Sequence, residues 1–98
     1  MTTPRCEDPI LHTGDPAGGT FCIVRRGERV AELTYTRAQG YATITHTWID
    51  DELRGSGCGR RLVAEIVQWA RDGNLRLRST CPFARAVLER MPEFADVR

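Results

Sequence analysis

The sequence predicts an α+β or mixed α/β domain in which antiparallel strands come first and a β-α-β unit and a last helix follow. Two patterns support this fold class. β-Branched residues alternate with polar ones in the first half, and apolar residues recur at helical spacing in the second half. Because a β-α-β crossover is right-handed and joins parallel strands, we expect the strands on either side of the first helix to pair in parallel.

The predicted order is β-β-β-α-β-α, with a sheet of three or four strands. Residues 1–19 contain three prolines and a glycine pair, so we expect a partly ordered lead-in with one short strand near Ile10. Residues 20–98 are expected to form the domain itself. Its predicted elements are strands at 21–25, 30–37, 41–49 and 75–79 and helices at 57–72 and 82–90.

The composition indicates an ordinary globular protein. Of the 98 residues, 41% are hydrophobic and 28% charged, and the net charge of +1 gives no general reason to expect a nucleic acid or membrane partner. The chain shows neither a membrane-length apolar run nor the apolar stretch of a signal peptide, so we expect a cytoplasmic location. The four cysteines form no close pair, which favours free thiols over a metal site.

A glycine-rich segment, Arg-Gly-Ser-Gly-Cys-Gly-Arg-Arg at 54–61, lies between a predicted strand and a predicted helix. Its glycines let the backbone approach a ligand closely, and the first N–H groups of a helix have no intrahelical partners, so this arrangement favours binding of a diphosphate. The segment lacks the Lys-Ser/Thr of a P-loop and the spacing of dinucleotide folds. The alternative is a small interaction protein whose glycine loop is structural and binds no ligand.

Four motifs, in order, resemble those of the very short GNAT-like N-acetyltransferases. They are His-Thr-Trp-Ile at 46–49, Glu-Leu-Arg-Gly-Ser-Gly-Cys-Gly at 52–59, Cys-Pro-Phe at 81–83 and Pro-Glu-Phe at 92–94. The resemblance covers residues 21–97. It implies a GNAT fold and transfer of an acetyl group from acetyl-CoA to an amine acceptor of unknown identity. The alternative within this resemblance is a domain that binds coenzyme A without catalysis, as a sensor or partner module.

The resemblance also implies the residues that bind acetyl-CoA. The backbone of Trp48 and Ile49 is expected to pair with the pantetheine arm, and Phe83 and Arg85 are expected near its pantetheine or adenine end. Arg54 opens the signature and could contact phosphate or face solvent. The predicted pyrophosphate ligands are the loop N–H groups of Gly55, Ser56, Gly57, Cys58, Gly59 and Arg60.

His46 and Cys81 are the candidate catalytic residues. Histidine suits general-base catalysis near neutral pH, and the two-residue period of a strand predicts that His46 shares a face with Ile44 and Trp48. The alternative is a structural histidine. Cys81 precedes Pro82 at a predicted helix N-cap, where the helix stabilises a thiolate. It could act as an acid, as a base or as a nucleophile that carries the acetyl group, or it could pack in the core.

Three positions depart from the family pattern. Val87 stands where relatives often have a tyrosine, Met91 replaces a histidine, and Asp50 replaces a proline. Because Val87 has no proton to give, the acid for the departing thiolate of coenzyme A stays unassigned. Direct transfer and an acetyl-cysteine intermediate are both compatible with the sequence. The oligomeric state also stays open.

Overall fold

A computed structural model describes residues 6–98. These residues form a five-stranded sheet in the order β1-β2-β3-β4-β5, in which consecutive strands pair antiparallel except for the parallel pair β4 and β5. The strands are β1 (Ile10–Asp15), β2 (Gly18–Arg25), β3 (Glu28–Ala38), β4 (Tyr41–Ile49) and β5 (Arg76–Ser79), and the helices are α1 (Cys58–Asp72) and α2 (Pro82–Arg90). The parallel pair confirms the predicted β-α-β unit and the fold class.

The sheet has one strand more than the three or four predicted. The short strand expected near Ile10 extends to Asp15 and pairs with β2 along its whole length. Most of its side chains are exposed. An edge strand with one neighbour and little burial needs no apolar alternation, so the polar sequence of β1 gave only a weak strand signal.

The core lies between one face of the sheet and the two helices. The apolar stripe of α1 is fully buried there, together with inward residues of the middle strands. The largest fully buried side chains are Phe21, Ile23, Leu33, Ile44, Leu62, Val63, Ile66 and Val67. No helix among residues 6–98 is long and apolar enough to cross a membrane.

A bulge at Thr45 interrupts the alternation of β4. The register with β3 passes from Thr34↔His46 to Tyr35↔Ile44, so Thr45 is an extra residue. An extra residue reverses which face the following side chains occupy. Ile44 is therefore fully buried in the core, whereas His46 is exposed on the face away from the helices. The prediction that these two residues share a face is wrong, because it assumed an unbroken period of two.

Cys6 and Cys58 form a disulfide, which corrects the expectation of four free thiols. The bond ties the lead-in to the first residue of α1. Arg61 strengthens this attachment, because its guanidinium donates to the carbonyls of Cys6 at 2.9 Å and Asp8 at 2.8 Å. The two cysteines lie 52 residues apart, so nothing local in the sequence indicated the pair. The free cysteines among the described residues are Cys22 and Cys81.

Candidate active site

An opening between β4 and β5 forms one end of the candidate site. The parallel pairing ends at Ile44 and Ser79. The Ile44 carbonyl then accepts hydrogen bonds from the N–H groups of Thr80 at 2.9 Å and Cys81 at 3.4 Å, and the chain turns into α2. Within residues 6–98, segment 45–49 of β4 therefore has no strand on its β5 side. The backbone groups of this segment that point away from β3 can pair with an extended ligand.

Two adjoining cavities run from this opening to the glycine loop. Their volumes are about 330 Å³ and about 370 Å³. Both are lined by Ile49, Gly55 and Phe83, so together they form one groove, called the groove below. The further lining residues at the loop end are Leu53, Gly57, Cys58, Gly59 and Arg60, and those at the opening end are Thr47, Trp48 and Arg54.

The glycine loop presents backbone donors to the groove. Gly55 and Gly57 have φ angles of 80° and 91°, a left-handed conformation that favours glycine. The first helical hydrogen bond of α1 runs from the Arg61 N–H to the Gly57 carbonyl at 3.0 Å. The N–H groups of Gly59 and Arg60 precede this bond, so the helix itself does not use them. They provide the donors that a diphosphate needs at a helix N-terminus.

Two of the predicted phosphate donors are engaged inside the loop instead. The Ser56 N–H donates to the Leu53 carbonyl at 3.1 Å, and the Cys58 N–H contacts Ser56 Oγ at 3.4 Å. The Ser56 hydroxyl also donates to the Leu53 carbonyl at 2.5 Å. These contacts hold the shape of the loop and leave the neighbouring amides to face a ligand.

Phe83 forms a wall of the groove, although 43% of its surface is exposed. A Cβ atom at Gly59 would lie 2.5 Å from Phe83 Cζ and 2.8 Å from Ile49 Cδ1. Glycine at the second position of α1 thus lets the aromatic ring lie directly against the helix start. The final glycine of the loop serves packing as well as ligand access.

The three predicted arginines have different surroundings. Arg60 lines the groove beside the free amides of the loop. Arg54 lines the opening end and pairs with Asp51 at 3.1 Å in an exposed ion pair. Arg85 pairs with Glu89 at 3.1 Å and lies outside both cavities that form the groove. Arg54 and Arg60 therefore line the groove, and Arg85 does not.

Cys81 is buried at the N-cap of α2, where the opening between the strands begins. Its Sγ lies 3.4 Å from Thr47 Oγ1. Burial alone would raise the pKa of Cys81. The nearby backbone N–H groups of Ala84, Phe83 and Thr47 and the Thr47 hydroxyl outweigh burial, so this pKa lies below the ordinary thiol value. The site therefore stabilises the thiolate more than water does for an ordinary cysteine.

Sequence reasoning missed Thr47 and placed His46 differently from the structure. The bulge at Thr45 brings the side chain of Thr47 to the inner edge of β4, next to Cys81. It sends His46 to the opposite, exposed face, and His46 is not among the residues that line the groove. A threonine between two aromatic residues gives no signal of this role, because only the bulge decides where it points.

Comparison with known proteins identifies the family. The family profile described as GCN5-related N-acetyl-transferase matches residues 20–97 of this chain. The chain belongs to this family. It is therefore an acyltransferase of the acetyl-CoA-dependent class that acetylates amines, which confirms the resemblance seen in the motifs. A search of curated proteins gave no match.

Solved structures support the same assignment. A GCN5-like protein of the N-acetyltransferase family from Staphylococcus aureus is 33% identical, with TM-score 0.72, over 91% of this chain and 85% of its own. A protein of the streptothricin acetyltransferase type from Bacillus anthracis, solved with acetyl coenzyme A, is 25% identical, with TM-score 0.57, over 64% of this chain and 38% of its own. Ribosomal-protein-alanine N-acetyltransferase from Brucella melitensis, at 16% identity and TM-score 0.65, covers 78% of this chain and 64% of its own and shows likeness of fold alone.

Proposed function

We propose that this acetyltransferase holds acetyl-CoA in the groove, with its pyrophosphate at the glycine loop and its thioester beside Cys81. The observation that supports this orientation is the continuity of the groove. Free amides of a helix start line one end. Thr47, in contact with Cys81, lines the other. When bound, acetyl-CoA supplies an acetyl group already activated as a thioester.

The residues present fit this ligand. The cavity volumes lie within the usual range for small-molecule sites. Gly59 and Arg60 bind phosphate through backbone N–H groups, and the Arg60 guanidinium adds positive charge. The Ile49 backbone, on the side of β4 away from β3, orients an extended arm by backbone pairing, whereas the register with β3 turns the Trp48 backbone groups toward that strand. The Phe83 ring covers the arm and excludes water from it.

Cys81 is the residue that acts on the acetyl group in this proposal. A thiolate can take up the proton of the amine as the amine attacks acetyl-CoA. Alternatively it attacks the thioester, which releases the coenzyme A thiolate, and the amine then displaces Cys81 from the acetyl group and gives its proton to the coenzyme A thiolate; both roles need the deprotonated form of Cys81 that its surroundings stabilise. His46 is left out of the proposal because its side chain lies on the face away from the helices. The acceptor is an amine of undetermined identity.

The cytoplasmic location stays a prediction, and the acceptor amine is still to be identified. In the cytoplasm, the Cys6–Cys58 disulfide would be exposed to reductants that keep cysteine thiols reduced. Family membership replaces the alternative of a domain that binds coenzyme A without catalysis. Mass spectrometry of amine pools after incubation with the protein and acetyl-CoA identifies the acceptor, since the amine that becomes acetylated is the substrate.

Gly57→Glu tests the binding site itself. The new carboxylate would repel a pyrophosphate, so we expect acetyl-CoA affinity to fall by at least about tenfold in calorimetric titration. Gly40→Glu is the matched control. Gly40 has a similar φ of 82° and equally open surroundings, but it lies at the opposite end of β4. Equal affinity in the two variants, or no binding by folded wild-type protein, would contradict the proposal.

A further inference from the structure

One side-chain contact spans the opening between β4 and α2. The Cys81 Sγ lies 3.4 Å from Thr47 Oγ1, on the only segment of β4 that lacks a neighbour on its β5 side among residues 6–98. The backbone of Cys81 is held by hydrogen bonds to Ser79, separately from the contact that Thr47 makes with the sulfur. Ser79 Oγ accepts its N–H at 3.1 Å and donates to its carbonyl at 2.8 Å. The sulfur is therefore held from two sides, by α2 and by Thr47.

The Thr47 hydroxyl differs chemically from the other partners of this sulfur. The backbone N–H groups of Ala84, Phe83 and Thr47 near this sulfur can only donate, so they stabilise the thiolate alone. A hydroxyl can accept a hydrogen bond from the thiol and, after rotation, donate one to the thiolate. Thr47 thus suits the Cys81 sulfur in both protonation states. Within residues 6–98, hydrogen bonds and burial set the pKa of Cys81, and no charged side chain contributes.

We propose that Thr47 is a positioning residue for acetyl transfer, whose hydroxyl fixes the Cys81 sulfur at the end of the groove and reverses its hydrogen bond when the thiol loses its proton. Thr47 is half-buried and lines the opening end of the groove, so it lies between the sulfur and the space for the thioester. This inference rests on the proposed role of Cys81. It adds a second residue, from β4, to a site otherwise built on α2.

The direct test is a pH titration of the Cys81 thiolate by its far-ultraviolet absorbance. In a Cys22→Ser background, Cys81 is the one free thiol left among the described residues. The same background with Cys81→Ser gives the absorbance to subtract. Thr47→Val keeps the shape of the side chain but removes the hydroxyl. We expect its titration midpoint to rise by about 0.5–1 pH unit, which means about three- to tenfold less thiolate at neutral pH.

Thr47→Ser keeps the hydroxyl and is expected to return the midpoint to the wild-type value. This rescue separates the hydrogen bond from mere packing, and it keeps the test informative even if Thr47→Val folds poorly. Thermal unfolding of each variant checks the fold. An unchanged midpoint in folded Thr47→Val, or no rescue by Thr47→Ser, overturns the inference.

A kinetic measurement distinguishes this inference from the proposed function. With an amine acceptor found in the pool experiment, we expect Thr47→Val to lower kcat in proportion to its loss of thiolate while KM for acetyl-CoA stays unchanged. If Cys81→Ser transfers acetyl groups as fast as wild type, the proposed role of Cys81 is lost, even where the titration midpoint shifts. If Cys81→Ser is inactive but Thr47→Val leaves both midpoint and kcat unchanged, the inference about Thr47 fails alone.

Discussion

The two ends of the groove are built from different parts of the polypeptide. At the loop end, the groups that face the ligand space are backbone amides, and glycine side chains matter because they are absent. At the opening end, the group is the Thr47 side chain of β4, which lines the groove and contacts the buried sulfur of Cys81 at the N-cap of α2. A site built on the backbone tolerates many substitutions that leave its conformation intact. A site built on side chains depends on the identity of each one.

This difference predicts opposite responses to removing a single functional group. Cys81→Ser at the opening end is expected to lower kcat by about 100-fold or more, because the hydroxyl that replaces the thiol stays protonated near neutral pH. Its affinity for acetyl-CoA should change little. Steady-state kinetics and calorimetry measure the two quantities.

His46→Ala is the matched control for this prediction. His46 is only one residue before Thr47 in sequence, but the bulge sends its side chain to the exposed face. We expect its kcat to stay within about twofold of wild type, since surface substitutions away from a site have small effects. A large loss of kcat in His46→Ala would show that the acceptor amine approaches from that exposed face.

The same division explains what the sequence could predict. The loop end depends on local conformation, so glycine spacing before the apolar pattern of α1 was sufficient to indicate it. The strand bounds of β4 and both helices were also predicted to within a residue, because their periodic patterns are long. The opening end depends on the bulge at Thr45, where β4 loses register with β3. No residue type marks a bulge, so strict alternation placed His46 on the face of Ile44 and gave Thr47 no role beyond its place in the motif at 46–49.

The disulfide shows a second limit of local reasoning. Beside the Cys6–Cys58 bond, Arg61 donates to the carbonyls of Cys6 and Asp8 and so also ties the lead-in to the start of α1. That contact joins residues more than 50 positions apart, and spacing patterns report only on neighbours. The lead-in therefore appeared independent of the loop, although the structure ties it to the first residue of the helix.

The disulfide gives the next largest expected effect, at the loop end. Closing a loop of this length restricts the unfolded chain, so reduction of the Cys6–Cys58 bond should lower the free energy of unfolding by about 2–4 kcal/mol. Denaturant unfolding with and without a dithiol reductant measures this difference. Cys6→Ser cannot form the bond. It should match the reduced wild-type protein and show no response to the reductant, and a response would mean that other thiols are involved.

The smallest effect expected concerns the packing of the loop end against Phe83. In Gly59→Ala the new Cβ would meet the tip of the Phe83 ring and the end of Ile49, both of which can move. Alanine also favours a helix by up to about 1 kcal/mol over glycine, so the free energy of unfolding should change by less than about 1 kcal/mol. The displaced ring should instead enter the groove. We expect acetyl-CoA affinity to fall about three- to tenfold, measured by calorimetry.

A double-mutant cycle with Phe83→Ala isolates this cause. Once the ring is gone, the methyl group at position 59 has little left to displace except the end of Ile49. Gly59→Ala should then cost little additional affinity in the Phe83→Ala background. If the two losses simply add, the glycine acts on the ligand directly rather than through the ring. That outcome would return Gly59 to the same role as the free amides beside it, and the loop end would be a purely backbone-built site.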